Sequence, residues 1–258
     1  MTTASTRGAG SVRRQAARGR RSLRSLVRQL LLVDACNRAV FACRFFWFVR
    51  VCHRLREHVD GEGVIARPYS MGMLTRGRTS NRPLRLIRPL SVLDHVSKDA
   101  RVLSIGCRFE TELLYLVGHG FAPGRIRGMD MISYSPWVDV GNMHSMPYAT
   151  GSWDVVILGW VLAYSDEPER AAAEILRVVA DHGVVAIGVS YYPEARLREL
   201  DRQGSLVGGI QTRIQTVDAI LALFGGSVDE VFFRHDAADP GAEGVCCVIF
   251  SVRKEERG

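Results

Sequence analysis

The sequence predicts an α/β fold. A mostly parallel seven-stranded sheet carries helices on both faces and one antiparallel strand, with a helical extension ahead of it. Three observations lead there. From Leu84 onward, short apolar runs alternate with amphipathic ones, the pattern of strands joined by crossover helices. The segment WDVVIL at 153–158 holds an unbroken apolar run, as in a strand covered on both faces. Two strand-like segments, 227–233 and 245–252, follow one another without a helix between them, so one of them runs against the rest.

The elements follow in chain order. Residues 1–25 contain no acid and are rich in Arg, Ser, Gly and Ala; with so little apolar surface to bury, a basic disordered tail is expected. Residues 26–83 form a second unit, an amphipathic helix and a linker. Within it, residues 26–59 are helical in character and largely apolar, with Arg38, Arg44 and Arg50 breaking the run every six residues. Asp34 and Arg38 are four apart and are expected to pair. No uncharged window reaches the roughly 18 residues that crossing a bilayer needs. Two roles stay open for this helix. It packs on the globular part or on a second copy in a homodimer, or it lies in a membrane surface. In the second case Phe45, Phe46, Trp47 and Phe48 sit at the lipid boundary and the arginines at the headgroups. The acid-free start also fits an organellar transit segment. Residues 60–83 lack periodicity and read as a linker, or as a loop over a site.

The third unit spans 84–258. A helix is expected over 91–98 with Ser91 as its cap, then a strand over 101–105 and a helix over 110–119 stopped by Gly120. Strands at 125–129, 137–140 and 153–158 follow, then a helix over 168–180 and a strand over 183–189. Thr216 caps a last helix that Gly225 and Gly226 stop, before the two final strands. Segment 191–212 is long and irregular, and together with 60–83 it is expected to cover the site, Tyr191 and Tyr192 lining it.

Charge is unevenly divided. Residues 1–83 carry 17 Arg against 4 acids, a net of +13, whereas residues 84–258 carry 17 Lys and Arg against 23 acids, a net of −6. The basic character therefore belongs to the extension, and a nucleic-acid groove in the globular part is disfavoured. The six cysteines form no CxxC pair, which argues against a disulfide framework or a zinc site and for a reducing, cytoplasmic compartment with peripheral membrane attachment as an option.

In an open parallel sheet, ligands bind beyond the carboxyl ends of the strands. Three segments meet there: the loop Gly106–Glu110, the strand end at Asp130, and Gly159–Tyr164. Asp130 follows Gly106 by 24 residues, near the spacing at which a carboxylate meets both hydroxyls of a ribose. The alternative is that Asp130 only caps the following turn, ISYSP.

The stretches RVLSIGC, IRGMD and GNMHSMPYATGSWDVVILGWVLAYSDEPERAAAEILRVVADHGVVAIGV resemble the class I S-adenosylmethionine-dependent methyltransferases of the methyltransferase 11 type, across about 84–254. The resemblance implies a Rossmann-like fold with strand order 3-2-1-4-5-7-6 and strand seven antiparallel. It implies S-adenosyl-L-methionine as cofactor and methyl transfer to a small-molecule or lipid/glycan-type acceptor. Cofactor contacts are then expected from Gly106, Cys107, Arg108, Glu110, Asp130, Met131, Asn142, Met143, Gly159 and Trp160. Asn142 stands where the family has an acid at the adenine amino group. If the acceptor is a hydroxyl, His144 and Tyr164 are the candidate bases, with Asp166 behind them; no metal is expected.

The first loop departs from the family. Ser104 replaces its acid, and Arg108 and Glu110 replace its second and third glycines. Arg108 could meet the ligand's carboxylate, and Glu110 could orient Arg108 or meet the ligand's ammonium. The alternative is a non-catalytic ligand-binding or scaffolding protein on the same fold, with Arg108 and Glu110 as a surface ion pair.

Overall fold

A computed structural model describes residues 23–58, 82–203 and 214–254. Residues 1–22 of the basic tail, nearly all of the 60–83 linker and part of segment 191–212 lie outside the described residues, and residues 23–25, expected within the disordered tail, are helical.

Helix α1 covers 23–32 and is followed by α2 (Asp34–Phe45), which runs into a wider π-helical turn at Phe46–Val51. Strand β1 (Arg56–Glu57) closes the extension. Then come α3 (Leu84–Leu90), β2 (Val102–Ile105), α4 (Glu110–Gly118), β3 (Ile126–Asp130), β4 (Ile132–Ser133) and β5 (Val138–Val140). The chain continues through β6 (Trp153–Gly159), α5 (Pro168–Val178), β7 (Val179–Tyr191), α6 (Glu194–Arg202), α7 (Val217–Ala222), β8 (Val228–His235) and β9 (Gly244–Val252).

Seven strands form one sheet in the order β5-β3-β2-β6-β7-β9-β8. Strands β5, β3, β2, β6 and β7 are parallel, and β9 runs antiparallel to both β7 and β8. This is the expected order, with the reversed strand last in sequence. The central strands are buried on both faces, which is why their sequences do not alternate. Leu113, Leu116, Phe121, Tyr134 and Ile87 pack one face; Ala171, Ile175, Ile220 and Phe250 pack the other. Thr216 caps α7 as expected, its Oγ1 accepting the Ala219 N–H at 3.1 Å.

One expected helix is displaced. Residues 91–98 are turns, and the helix is α3, one step earlier. Leu84, Leu86, Ile87 and Leu90 are all buried, whereas Val92 is 77 % exposed. The buried stripe, not the serine, decides the position. Ser91 ends the helix rather than starting it, its hydroxyl donating to the Arg88 carbonyl at 2.8 Å.

The extension is not one helix. It breaks at Val33, whose backbone is extended, and α2 restarts on a face that fits α4. Asn37 is fully buried and donates from Nδ2 to the carbonyls of Leu31 and Thr111 at 3.2 and 3.4 Å. The Tyr115 hydroxyl donates to Asp34 Oδ1 at 2.7 Å. Phe41 stands edge-on to Phe109, and Phe45 edge-on to Tyr134, with centroids 5.3 and 4.9 Å apart. Beyond the π turn, β1 pairs antiparallel with β4, and the His58 N–H donates to the Met131 carbonyl at 2.7 Å. The extension thus reaches from the outer face of α4 to the exit of β3. Asp34 and Arg38 pair as expected, at 2.7 Å. Among the described residues, no helix is long and apolar enough to cross a membrane.

Candidate functional site

The loop between β2 and α4 turns on Gly106, whose φ of +72° is accessible to glycine without strain. Its space is closed as well: a Cβ there would stand 2.5 Å from Cβ of Val161, which lies over the loop. Two residues on, Arg108 also holds a positive φ, of 40°. The loop therefore keeps a left-handed step at a position where the family has glycine. An L side chain there is disfavoured. Asp130 offsets this, because its Oδ2 accepts the Arg108 N–H at 2.9 Å. Asp130 Oδ1 accepts the Ile132 N–H at 3.3 Å. Burial pushes the Asp130 pKa up, while Arg108 and the backbone N–H groups draw it back.

Three carboxylates, from Glu110, Glu112 and Asp130, surround the Cys107 thiol. Burial, then Glu112 and Asp130, push that thiol well above its ordinary range. The thiol is buried and packs against Gly128. Glu110 is not a partner of Arg108, and this expectation is corrected. Its side chain is fully buried and accepts from Arg44 Nε at 2.5 Å and Nη2 at 2.9 Å, and from the Ser135 hydroxyl. The Glu110 N–H donates to the Tyr134 hydroxyl at 3.4 Å. Nor is the Arg108–Glu110 surface ion pair found; Glu110 is a buried anchor for α2. Arg44 lies over the Trp137 ring, 4.7 Å from its centroid. Glu112, which carried no expectation, is also buried. It accepts from the Ser104 hydroxyl, and burial raises its pKa to about 7.

On the other side of the sheet's switch point, the Asn142 amide oxygen accepts the His144 N–H at 3.0 Å, shaping the turn that carries Met143. His144 Nε2 and Ser165 Oγ share a hydrogen bond at 2.6 Å, with Asp166 Oδ1 3.7 Å from the same nitrogen. Trp160 has a φ of +63°, and its ring lies on Gly188, with Cη2 3.1 Å from where a Cβ would be. A side chain at 188 would crowd this ring. Trp160 and Tyr164 line a small cleft with Arg82, Ala163, Ser190 and Tyr192. Tyr191 does not join them, since its hydroxyl donates to the Pro240 carbonyl at 3.0 Å.

The structure therefore brings Asp130, at the end of β3, to the Gly106–Arg108 loop, His144 to Ser165 and Asp166, and Trp160 to Tyr164 and Tyr192. Gly159 lies beside Glu112, 3.6 Å from its Oε2 to an added Cβ. Met131 and Met143 are half-buried, and the Met131 carbonyl is taken by His58. Sequence reasoning missed Arg44, Ser135 and Glu112. The signal for Arg44 was present: Asp34, Asn37, Phe41 and Arg44 recur every three or four residues, one face of a helix.

The methyltransferase-domain family model, Methyltransf_11, matches residues 103–187. No curated protein matches the chain. Among solved structures, a chain from the complex between the Haloferax volcanii Trm112 methyltransferase activator and the putative methyltransferase is similar. The TM-score is 0.50 at 16% identity, covering 75% of this chain and 96% of that one. A putative S-adenosyl-L-methionine-dependent methyltransferase from Methanococcus maripaludis is similar with a TM-score of 0.50 at 12% identity, covering 77% of this chain and 99% of that one. At these identities the likeness concerns the fold. Residues 103–187 match the methyltransferase-domain model, and the strand order with its reversed β9 is that of the Rossmann-like methyltransferase fold.

Proposed function

We propose that the chain transfers a methyl group from S-adenosylmethionine to a small-molecule or lipid/glycan-type acceptor. The observation that carries this reading is Asp130. It ends β3 at the switch point and spends one lone pair of each carboxylate oxygen on a backbone N–H. A carboxylate offers about four acceptor sites, and the backbone N–H groups of Arg108, Ile132 and Met131 leave it acceptor capacity toward a ribose hydroxyl. The residues fit the nucleoside half of the cofactor: the acid at the strand end, the Gly106 turn, and the Asn142–Met143 turn across from them. At the methionine half, the left-handed backbone at Arg108 keeps the loop path that glycine would give, and its guanidinium suits a carboxylate.

Bound S-adenosylmethionine supplies an electrophilic methyl group on a sulfonium. The chain's own contribution is placement and exclusion of water. Trp160, Tyr164 and Tyr192 wall the acceptor side. His144, which bonds Ser165 and lies near Asp166, is the base we assign to an acceptor hydroxyl. An acceptor at a membrane surface is favoured by the extension, where Leu23, Leu26, Phe46 and Trp47 are more than half exposed among arginines. The same face suits a second copy of the chain. A nucleic-acid acceptor is disfavoured by the acidic globular part.

A second reading, a non-catalytic ligand-binding or scaffolding protein, is favoured by Arg108 and Glu110 standing in place of loop glycines. Calorimetry with S-adenosylhomocysteine tests the first reading. Wild type binds, and Asp130→Asn weakens binding at least ~10-fold, about 1.4 kcal/mol. Production of S-adenosylhomocysteine from S-adenosylmethionine with lipid, glycan and small hydroxyl acceptors then separates turnover from binding alone. Unchanged affinity in the Asp130 variant would remove the support for this site.

A further inference from the structure

The cleft beside Trp160 carries chemistry that the reading above does not use. It lies at the carboxyl ends of β6 and β7, and the one charged residue in its lining is Arg82. No carboxylate lines it, although residues 84–258 as a whole carry a net charge of −6. Arg82 stands exposed just ahead of α3 and donates from Nη1 to the Ser190 hydroxyl at 3.4 Å. A guanidinium is a planar fork of N–H donors, the shape that meets a carboxylate or phosphate on two oxygens.

A second arginine lies near the same strip of sheet. Arg85, one turn on in α3, is exposed, and among the described residues it pairs with no carboxylate. Burial raises the Cys247 thiol to about 11, and the charge of Arg85 works against that rise. Cys247 pairs across the sheet with Gly188, the glycine under the Trp160 ring, and Ser190 shares that face of β7 two residues on. Both arginines therefore approach the strip on which Trp160 lies.

Trp160 adds a separate sign. Its six-membered ring rests against Gly188, and Nε1, on the ring's far edge, is buried with no acceptor among the described residues. A buried N–H without an acceptor is costly, and a phenylalanine would cover Gly188 without that cost. The cleft thus offers aromatic surface and hydrogen-bond donors, and its charge is positive.

We infer that the methyl acceptor is an anion, with an apolar body between Trp160, Tyr164 and Tyr192 and a carboxylate or phosphate bound by Arg82 and attracted by Arg85. This rests on the methyl-transfer reading above and names the class of its acceptor. A neutral alcohol or sugar of the same size is disfavoured, because it desolvates the guanidinium without supplying the opposite charge.

The test uses two matched pairs of probes, by calorimetry on the full chain, with saturating S-adenosylhomocysteine and again without it. Octyl phosphate and octyl glucoside share a chain and differ in charge; 4-hydroxybenzoate and 4-hydroxybenzamide do the same for a soluble ring. In at least one pair the anion binds ~10-fold or more tightly than its neutral partner. Preference in the octyl pair alone assigns the acidic group to a lipid phosphate, in the benzoate pair alone to a free aromatic acid, and in both to the charge itself. Arg82→Gln weakens the preferred anion about tenfold and leaves its neutral partner and S-adenosylhomocysteine within about twofold. Arg82→Lys restores part of the loss, and Arg85→Gln alone weakens the anion by roughly two- to threefold. No preference in either pair, no binding of any probe, or a preference that Arg82→Gln leaves intact overturns the assignment while S-adenosylhomocysteine binding keeps the methyl-transfer reading. Wild type with no affinity for S-adenosylhomocysteine removes that reading and the acceptor role with it, even where the anion preference persists.

Discussion

The guanidinium of Arg44 forks across the carboxylate of Glu110, Nε to Oε2 at 2.5 Å and Nη2 to Oε1 at 2.9 Å. These residues are 66 apart in sequence, and the bond fastens the extension to the first turn of α4, just after the Gly106 loop. A position that reads as a lost loop glycine is therefore a structural anchor.

Removing one partner of this pair strands a buried charge. Arg44→Ala is expected to destabilise the chain by roughly 3–5 kcal/mol. Arg44→Met combined with Glu110→Leu is expected to recover most of that, because no uncompensated charge remains. Urea denaturation of the two variants checks this; equal losses in both would mean that the contact area of α2, not the ion pair, is what holds it.

Glu112 makes stability depend on pH with a definite sign. Its pKa rises from 4.5 to about 7 on folding. The folded chain therefore binds the proton more tightly than the unfolded one. The group's favourable contribution is complete below the unfolded value and is lost as pH climbs to the folded value. Glu112→Gln is expected to match wild type near pH 4.5 and to exceed it above pH 7. The excess is on the order of 3 kcal/mol. Denaturation curves at the two ends of that window measure it. A constant difference across the window would show that the carboxyl group does not titrate between them.

Gly106 is held by both its conformation and its neighbour. Gly106→Ala meets a φ of +72° and the Val161 side chain at 2.5 Å. It is expected to cost ~2–4 kcal/mol and to lower cofactor affinity. Adding Val161→Ala removes the collision but not the strain, so about half of the loss should return. Full recovery would assign the whole effect to packing.

The outer face of the extension offers a surface experiment. Phe46 and Trp47 are 62 and 56 % exposed. Replacing both with serine is expected to change stability by less than about 0.5 kcal/mol. On vesicles containing phosphatidylserine, the wild type should bind in a salt-sensitive way and the double variant about tenfold more weakly. Equal binding to neutral vesicles, or a dimer lost in the variant by sedimentation, would point to a second copy as the occupant.

How much of this was legible without coordinates depends on the range of the interaction. The strands at 101–105, 125–129 and 153–158 emerged within a residue or two, because the period of side chains along a buried strand is a local property. The final pair of strands was readable because a direct connection between strands constrains their direction. The helix expected at 91–98 was misplaced because a capping serine carries less weight than the buried stripe of α3, and burial is decided by what lies opposite.

Residue type and spacing were enough to specify the alternation of strand and helix, the reversal at the end of the sheet, and the division of charge between extension and globular part. Each of these is a property read along the chain. It took the folded arrangement to turn Glu110 to Arg44, to bring Glu112 to the Ser104 hydroxyl, and to set Asp130 as a cap on the left-handed backbone of Arg108. Those outcomes depend on which side chains meet after the chain has folded back, and a buried charge takes the partner that packing brings to it rather than the one nearest in sequence.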